Sequence, residues 1–259
     1  MIHYSFSLND LEYFLLILVR CASFIFIAPF FSMNGVPARV RAGLSIFLAI
    51  LLYSVTSRVD VEYSSVFTYA LLVLKETITG LLIGYSTTIC TSVVSFAGRI
   101  IDMEVGLSMI SLMDPTTRQE TSITGVYYQY AFTLMMIISG MYQYILKAFA
   151  ETYTLIPVNG AIFHSDKLMA AMIQFMSSYI MIGFRICLPV FAVMMILNAV
   201  LGIMAKVAPQ MNMFSVGMQL KVLVGLGILF FTTSMLPGLS DYIFTMMKQM
   251  TVAFVEAIM

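Results

Sequence analysis

Long apolar runs separated by short polar breaks make up almost the whole chain. The first run, from about Leu11 to Phe31, follows Asn9 and Asp10, either of which suits an N-cap, and carries Glu12 where the helix dipole favours an acid. Pro29 lies near its end, and Ser32–Met33–Asn34–Gly35–Val36–Pro37 predicts a turn. A second helix is predicted from Ala38 to Val55, and the short connection makes the two an antiparallel hairpin. A third run, Val66 to Ala97, follows the polar stretch from Ser57 to Ser65; at about 1.5 Å per residue it overruns a bilayer core of about 30 Å and must tilt, kink or leave the membrane. Val126 to Ala150 is the fourth. Tyr127, Tyr128 and Tyr130 at one end and Tyr142, Tyr144 and Tyr153 at the other resemble an interfacial belt in a chain without Trp. After a connection from Leu155 to Lys167 comes Leu168 to Gly202, again too long for one span. A turn around Pro209 leads to Phe214–Leu236, and Ser240 or Asp241 caps a last helix to Met259. The polar residues of that helix, Asp241, Thr245, Lys248, Gln249 and Glu256, fall on one narrow stripe. The pattern predicts an all-α, membrane-associated protein of helical hairpins, with long kinked helices and a central loop, in one all-helical unit.

That loop is the main departure from apolar periodicity. Between Gly98 and Gly125 the segment carries Arg99, Asp102, Glu104, Asp114, Arg118 and Glu120, close to a quarter of the chain's charge. Its middle mixes Val105, Gly106, Leu107, Ser108, Met109, Ile110, Ser111, Leu112 and Met113, and Asp114–Pro115 then forces a turn. Methionine is flexible and polarizable, and a hydrophobic constriction closes a pore by excluding water. An apolar loop bearing Met109 and Met113 between two polar collars, with Met103 beside it, therefore reads as a deformable seal.

Composition strengthens the membrane reading. Hydrophobic residues make up 61% and charged residues 10% of the chain, against about 25% charged in soluble domains. The formal net charge is zero, so nucleic acid is an unsuitable partner. The N-terminus has Asp10 and Glu12 in place of a basic region and no small-residue cleavage site follows, so the first helix is expected to be retained. Cys21, Cys90 and Cys187 lie inside apolar runs and read as buried thiols; with only His3 and His164 available, no metal site and no cofactor is expected. The sequence lacks G-x-x-x-x-G-K-[ST], H-E-x-x-H and G-x-S-x-G, so no enzymatic chemistry is suggested.

Several residues stand out within the apolar runs. Gly80 and Gly84 form a G-x-x-x-G that either admits a neighbouring helix closely or arises by chance in a Gly-containing helix. Lys75 and Glu76 are adjacent, cannot pair along one helix face, and need partners on other helices or chains. Arg185 sits near the middle of its run with Pro189 four residues on; it either faces protein or water and pairs with a carboxylate, or lines a conduit. Arg20 and Lys221 are further internal charges. Lys and Arg are spread evenly over alternate turns and assign no orientation.

Four stretches carry a resemblance: GVPARVRAGLSIFLAI (Gly35 to Ile50), EVGLSMISLMDP (Glu104 to Pro115), ETYTLIPVNG (Glu151 to Gly160) and APQMNMFSVGMQLKVLVG (Ala208 to Gly225). In this order they resemble the flagellar biosynthetic protein FliR family, the R-type subunits of the type III export gate, and their counterparts in virulence injectisomes. Pro209, Asn212, Phe214, Gly217 and Lys221 stand in family positions; Thr116 to Thr124 departs from the pattern, with Arg118 and Glu120 where the family often has Gly or Pro. The resemblance implies a non-enzymatic subunit at the base of the flagellar basal body in the bacterial inner (cytoplasmic) membrane. It would complete a ring with P-type and Q-type membrane proteins, touch the B-type switch subunit, and pass unfolded exported proteins. Residues from 1 to about 165 would correspond to a P-type unit, those from about 166 to 259 to a Q-type unit, and Val105 to Thr121 to the pore plug. The other readings are the equivalent injectisome subunit or a small-molecule membrane transporter.

Overall fold

The computed structural model describes residues 8–33, 35–56, 63, 65–109, 112–113, 120–210 and 212–259. Eight α-helices account for most of them: α1 (Leu8–Ile27), α2 (Ala38–Val55), α3 (Val66–Val105), α4 (Ile123–Ile138), α5 (Met141–Leu155), α6 (Ser165–Val207), α7 (Met213–Thr232) and α8 (Leu236–Glu256). The strands among the described residues are two residues each, β1 (Leu112–Met113) and β2 (Glu120–Thr121), paired antiparallel with Leu112 opposite Thr121. Four helical stretches are long and apolar enough to cross a membrane, or five if α4 and α5 count as one broken span.

Several predicted boundaries move. α1 starts at Leu8, which places Asn9 and Asp10 inside its first turn. α3 continues through Arg99, Asp102 and Glu104 to Val105, making 40 residues, because a drop in hydropathy does not end a helix and no proline interrupts this stretch. The single helix predicted over Val126 to Ala150 is two: α4 stops at Ile138, and Gly140, at φ 68°, opens α5 in the left-handed conformation that suits glycine. α8 begins at Leu236 after a short 3-10 turn at Thr233–Met235, so Pro237 occupies a first helical turn, where its missing N–H costs nothing, and Ser240 and Asp241 lie within the helix.

The chain forms two compact units. The first takes α1, α2, α3 as far as Cys90, α5, the start of α6 and the end of α8. Tyr53, near the end of α2, meets Tyr13 and Phe14, near the start of α1, as an antiparallel hairpin requires. α1 crosses α3 at Gly80 and Gly84: a methyl at Gly80 would collide with the Arg20 carbonyl, and one at Gly84 would come within 3.0 Å of the Phe24 carbonyl oxygen. Phe24 stacks on Phe149 of α5 with centroids 4.0 Å apart. The connection into α6 runs beside the C-terminus, Ile162 N–H donating to the Ile258 carbonyl and His164 N–H to that of Ala257.

The second unit takes the rest of α3, α4, most of α6, α7 and the start of α8. Glycines again set its close approaches. The backbones of Gly98 and Gly125 touch, leaving no room for a Cβ on Gly98, and a Cβ on Gly183 would collide with the Phe96 ring.

Candidate functional site

The last two turns of α3 and the first turn of α4 make a narrow root for the central loop, within the second unit. Asp102 is buried, and its two carboxylate oxygens lie 3.3 Å from the Thr124 backbone nitrogen, accepting its N–H. Ser122 caps α4, its Oγ accepting from Gly125 N–H at 2.8 Å. A carboxylate against the open N–H groups of a helix start is favourable on both hydrogen-bond and dipole grounds. Three residues beyond Asp102, Val105 closes α3 fully buried, its methyls occupying the space that a side chain at Gly225 would need. Gly106 then takes φ 89° while its N–H donates to the Asp102 carbonyl at 3.0 Å, an αL helix stop open to glycine at little cost.

Beyond this root, Leu107, Ser108 and Met109 form one 3-10 turn in which Leu107 is buried and Ser108 exposed. Leu112 and Met113 form β1, and its pairing with Glu120 and Thr121 brings the chain back to Ser122. Ile110, Ser111, Asp114 and Pro115 lie outside the described residues. The stretch from Gly106 to Thr121 is thus held at both ends by buried contacts: the Asp102 cap, the Gly98–Gly125 backbone contact and the Val105 anchor.

A second cluster occupies the first unit. The Arg20 guanidinium, fully buried, donates from Nε to Glu76 Oε2 and from Nη1 to the Ile156 carbonyl at 2.9 Å, and lies over the Tyr153 ring at 4.5 Å. Glu76 Oε1 accepts Asn159 N–H at 2.8 Å, while Lys75 Nζ donates to the Asn159 carbonyl at 2.8 Å. Asn159 itself stands at φ 69°, a conformation asparagine tolerates better than most residues. Adjacent Lys75 and Glu76 thus reach two sides of one turn, tying α1, α3 and the connection after α5 together. Outside the helices, Tyr63 donates to the Glu12 carboxylate, which holds the phenol above its usual range.

The remaining singled-out residues do not join either cluster. Arg185 is exposed on α6, which continues through Pro189; its guanidinium lies 5.6 Å from the Tyr242 ring centre, and among the described residues no carboxylate is within 4.0 Å. Pro209 is exposed in the α6–α7 turn, Asn212 caps α7 by accepting from Ser215 N–H at 3.4 Å, Phe214 is exposed and Lys221 half-buried. Sequence reasoning left Asp102 as one charge in a collar and missed Gly98, Gly125 and Asn159 as contact points. Only the Ser122 cap had a local signal, three residues before Gly125; Asp102 stands 22 positions from the Thr124 N–H that it accepts, and no local pattern points to it or to Gly98. Among the described residues no three His, Cys, Asp or Glu side chains gather as a metal site.

Long apolar helices, buried ion-paired charge and a loop pinned at its root define an all-helical membrane protein rather than a soluble domain. The sequence profile of the bacterial export proteins, family 1, matches residues 11–247, and the chain belongs to that family, the family of FliR. It is 28% identical over 216 residues to the flagellar biosynthetic protein FliR of Bacillus subtilis (strain 168), covering 82% of each chain. It is 23% identical over 228 residues to FliR of Escherichia coli (strain K12), covering 88% of this chain and 87% of that one. The surface presentation of antigens protein SpaR of Shigella flexneri is 27% identical over 217 residues, 83% of this chain and 82% of its own.

Proposed function

We propose that the chain is the R-type subunit of a flagellar type III protein export gate. It completes a ring with P-type and Q-type subunits in the bacterial inner membrane at the base of the flagellar basal body, and contacts the B-type switch subunit. Its role is structural, with residues 1–165 acting as a P-type unit and 166–259 as a Q-type unit. The loop from Val105 to Thr121 is the plug against unfolded substrates, with Val105, buried at the end of α3, as its anchor. The pinned root carries this reading: Asp102, Gly98 and Val105 hold both ends of a segment whose first half, Leu107 to Met113, is apolar and Met-bearing, so displacement of the segment need not disturb α3 or α4. The reading is tested by replacing residues 107–119 with a Gly/Ser linker, leaving Val105, Gly106 and the Ser122 cap intact. Cells carrying the assembled complex should become leaky to small ions while export persists. Unchanged ion permeability with normal assembly removes the plug role.

The likeness to SpaR supports a second reading, the equivalent subunit of a virulence injectisome. Complementation separates them: restored motility in a flagellar-gate deletion favours the first, and restored injectisome secretion without motility favours the second.

A further inference from the structure

Arg185 divides α6 into two apolar halves. The helix has 43 residues, Ser165 to Val207, which is about 64 Å and twice a hydrocarbon core of about 30 Å. On one side runs LMAAMIQFMSSYIMIGF and on the other ICLPVFAVMMILNAVLGIMA, each about one hydrocarbon thickness long. Either half can lie in lipid with the arginine at its end, which avoids the cost of about 2.5–3.5 kcal/mol for a charge at the centre of the hydrocarbon layer. Around Arg185 the second unit collects the groups of an interfacial layer. Tyr128 hydrogen-bonds Thr232 at 3.2 Å, Ser234 stands in the same lining, and Tyr242 lies beneath the guanidinium. Tyrosine is the residue that sits at headgroup level.

A cavity of about 700 Å³ opens here. Leu188, Pro189, Leu236 and Leu239 supply apolar wall, and Arg185 is the one charged residue among those lining it. With no carboxylate in ion-pair range among the described residues, the guanidinium fork is left for an anion from outside the chain. An anion alone has no use for four apolar side chains beside it, and a fatty chain alone has no use for the arginine. A molecule with a phosphate next to alkyl chains satisfies both, in the way basic pockets between membrane helices hold lipid headgroups.

We propose that this cavity binds an anionic phospholipid, with the phosphate on Arg185 and the first acyl methylenes along Leu188, Pro189, Leu236 and Leu239. The inference requires a membrane but not the export-gate reading. The test uses the full chain, with whatever subunits co-purify, in nanodiscs of equal dioleoyl phosphatidylglycerol and dioleoyl phosphatidylethanolamine. Lipid retained after transfer to lipid-free detergent is counted by mass spectrometry. The wild type should retain phosphatidylglycerol over phosphatidylethanolamine by about five- to tenfold, and Arg185→Gln should bring the ratio near one. Leu239→Trp, which fills the cavity and keeps the charge, should also lose the retained lipid, and Lys206→Gln, removing an exposed cation from the same helix, should not. Unchanged gel-filtration elution of each variant separates lost binding from lost folding. Three results overturn the proposal: no lipid preference in the wild type, a preference that survives Arg185→Gln, or displacement of the retained lipid by millimolar inorganic phosphate, which would make this a site for free phosphate. Retention by the chain alone but not by the partner-bound complex would assign Arg185 to a protein neighbour instead and would also overturn it.

Discussion

Arg20 shows what one buried charge demands of its surroundings. Glu76 neutralises it, the Ile156 carbonyl takes a second donor and the Tyr153 face covers the plane of the guanidinium. Removing one partner of a buried pair leaves the other charged in an apolar setting, at a cost of about 3–5 kcal/mol. Glu76→Ala should therefore lower the thermal midpoint of the detergent-solubilised protein far more than substitution of the exposed Lys147–Glu151 pair, where about 0–1 kcal/mol is at stake. The double change Arg20→Met with Glu76→Leu should recover part of that loss, since two apolar side chains leave no stranded charge. Recovery should stay incomplete because Asn159 N–H and the Ile156 carbonyl lose their partners. Simple additivity of the two single changes would show that the pair is not coupled as drawn. None of this geometry was legible beforehand: both residues stood out as charges in apolar runs, but 56 positions separate them and no local pattern links residues so far apart.

At the scale of elements, glycine decides where helices meet. Gly98 lies against Gly125 with no space for a methyl, so Gly98→Val must push α4 away from α3. Overpacking typically costs about 1–3 kcal/mol, and here it also displaces Thr124 from Asp102. The expected outcome is faster amide exchange across Ile123–Tyr127 than in the wild type, with α1 and α2 unaffected; unaltered exchange there would mean the contact is not what holds the root. Gly140→Ala makes a separate test. Its surroundings are open, so the cost comes from the backbone at φ 68° alone, about 1–2 kcal/mol, with loss of stability and no change in packing. Periodicity was a good guide where apolar runs end in turn residues: α2 occupies the predicted Ala38–Val55. It failed where polarity and helix ending part company. α3 carries Arg99, Asp102 and Glu104 as a helix because these residues tolerate the conformation, whereas the break between α4 and α5 hides in Ser139–Gly140 inside an unbroken apolar run. The root of the central loop was half legible: the segment announced itself by composition, but its anchors depend on which glycines come to face each other.

For the molecule as a whole, the question is what covers its apolar surface. In the helical stretch Phe214–Glu256, only 17% of the most apolar window is buried, so lipid or other proteins must meet the rest. On α7, Leu223, Leu226 and Phe230 follow one another at helical spacing and all are exposed, and Gly227 beside them has nothing within 4 Å of where a Cβ would be. A lipid-facing stripe and a subunit-facing stripe respond differently to truncation. Lipid refills whatever shape is left, whereas a protein neighbour loses the transfer energy of the removed side chain, about 1.5–3 kcal/mol for a phenylalanine, and retains a cavity. If the stripe meets another subunit of the proposed ring, Leu226→Ala with Phe230→Ala should reduce the amount of complex recovered by a mild-detergent pull-down by tenfold or more, since about 1.4 kcal/mol is a factor of ten in affinity. The amount of the chain in the membrane fraction should hardly change, because hydropathy across α7 stays far above what insertion needs. Full recovery of the complex from the double variant would instead assign this face of α7 to lipid, and the subunit contacts would have to be sought on the exposed face of α6.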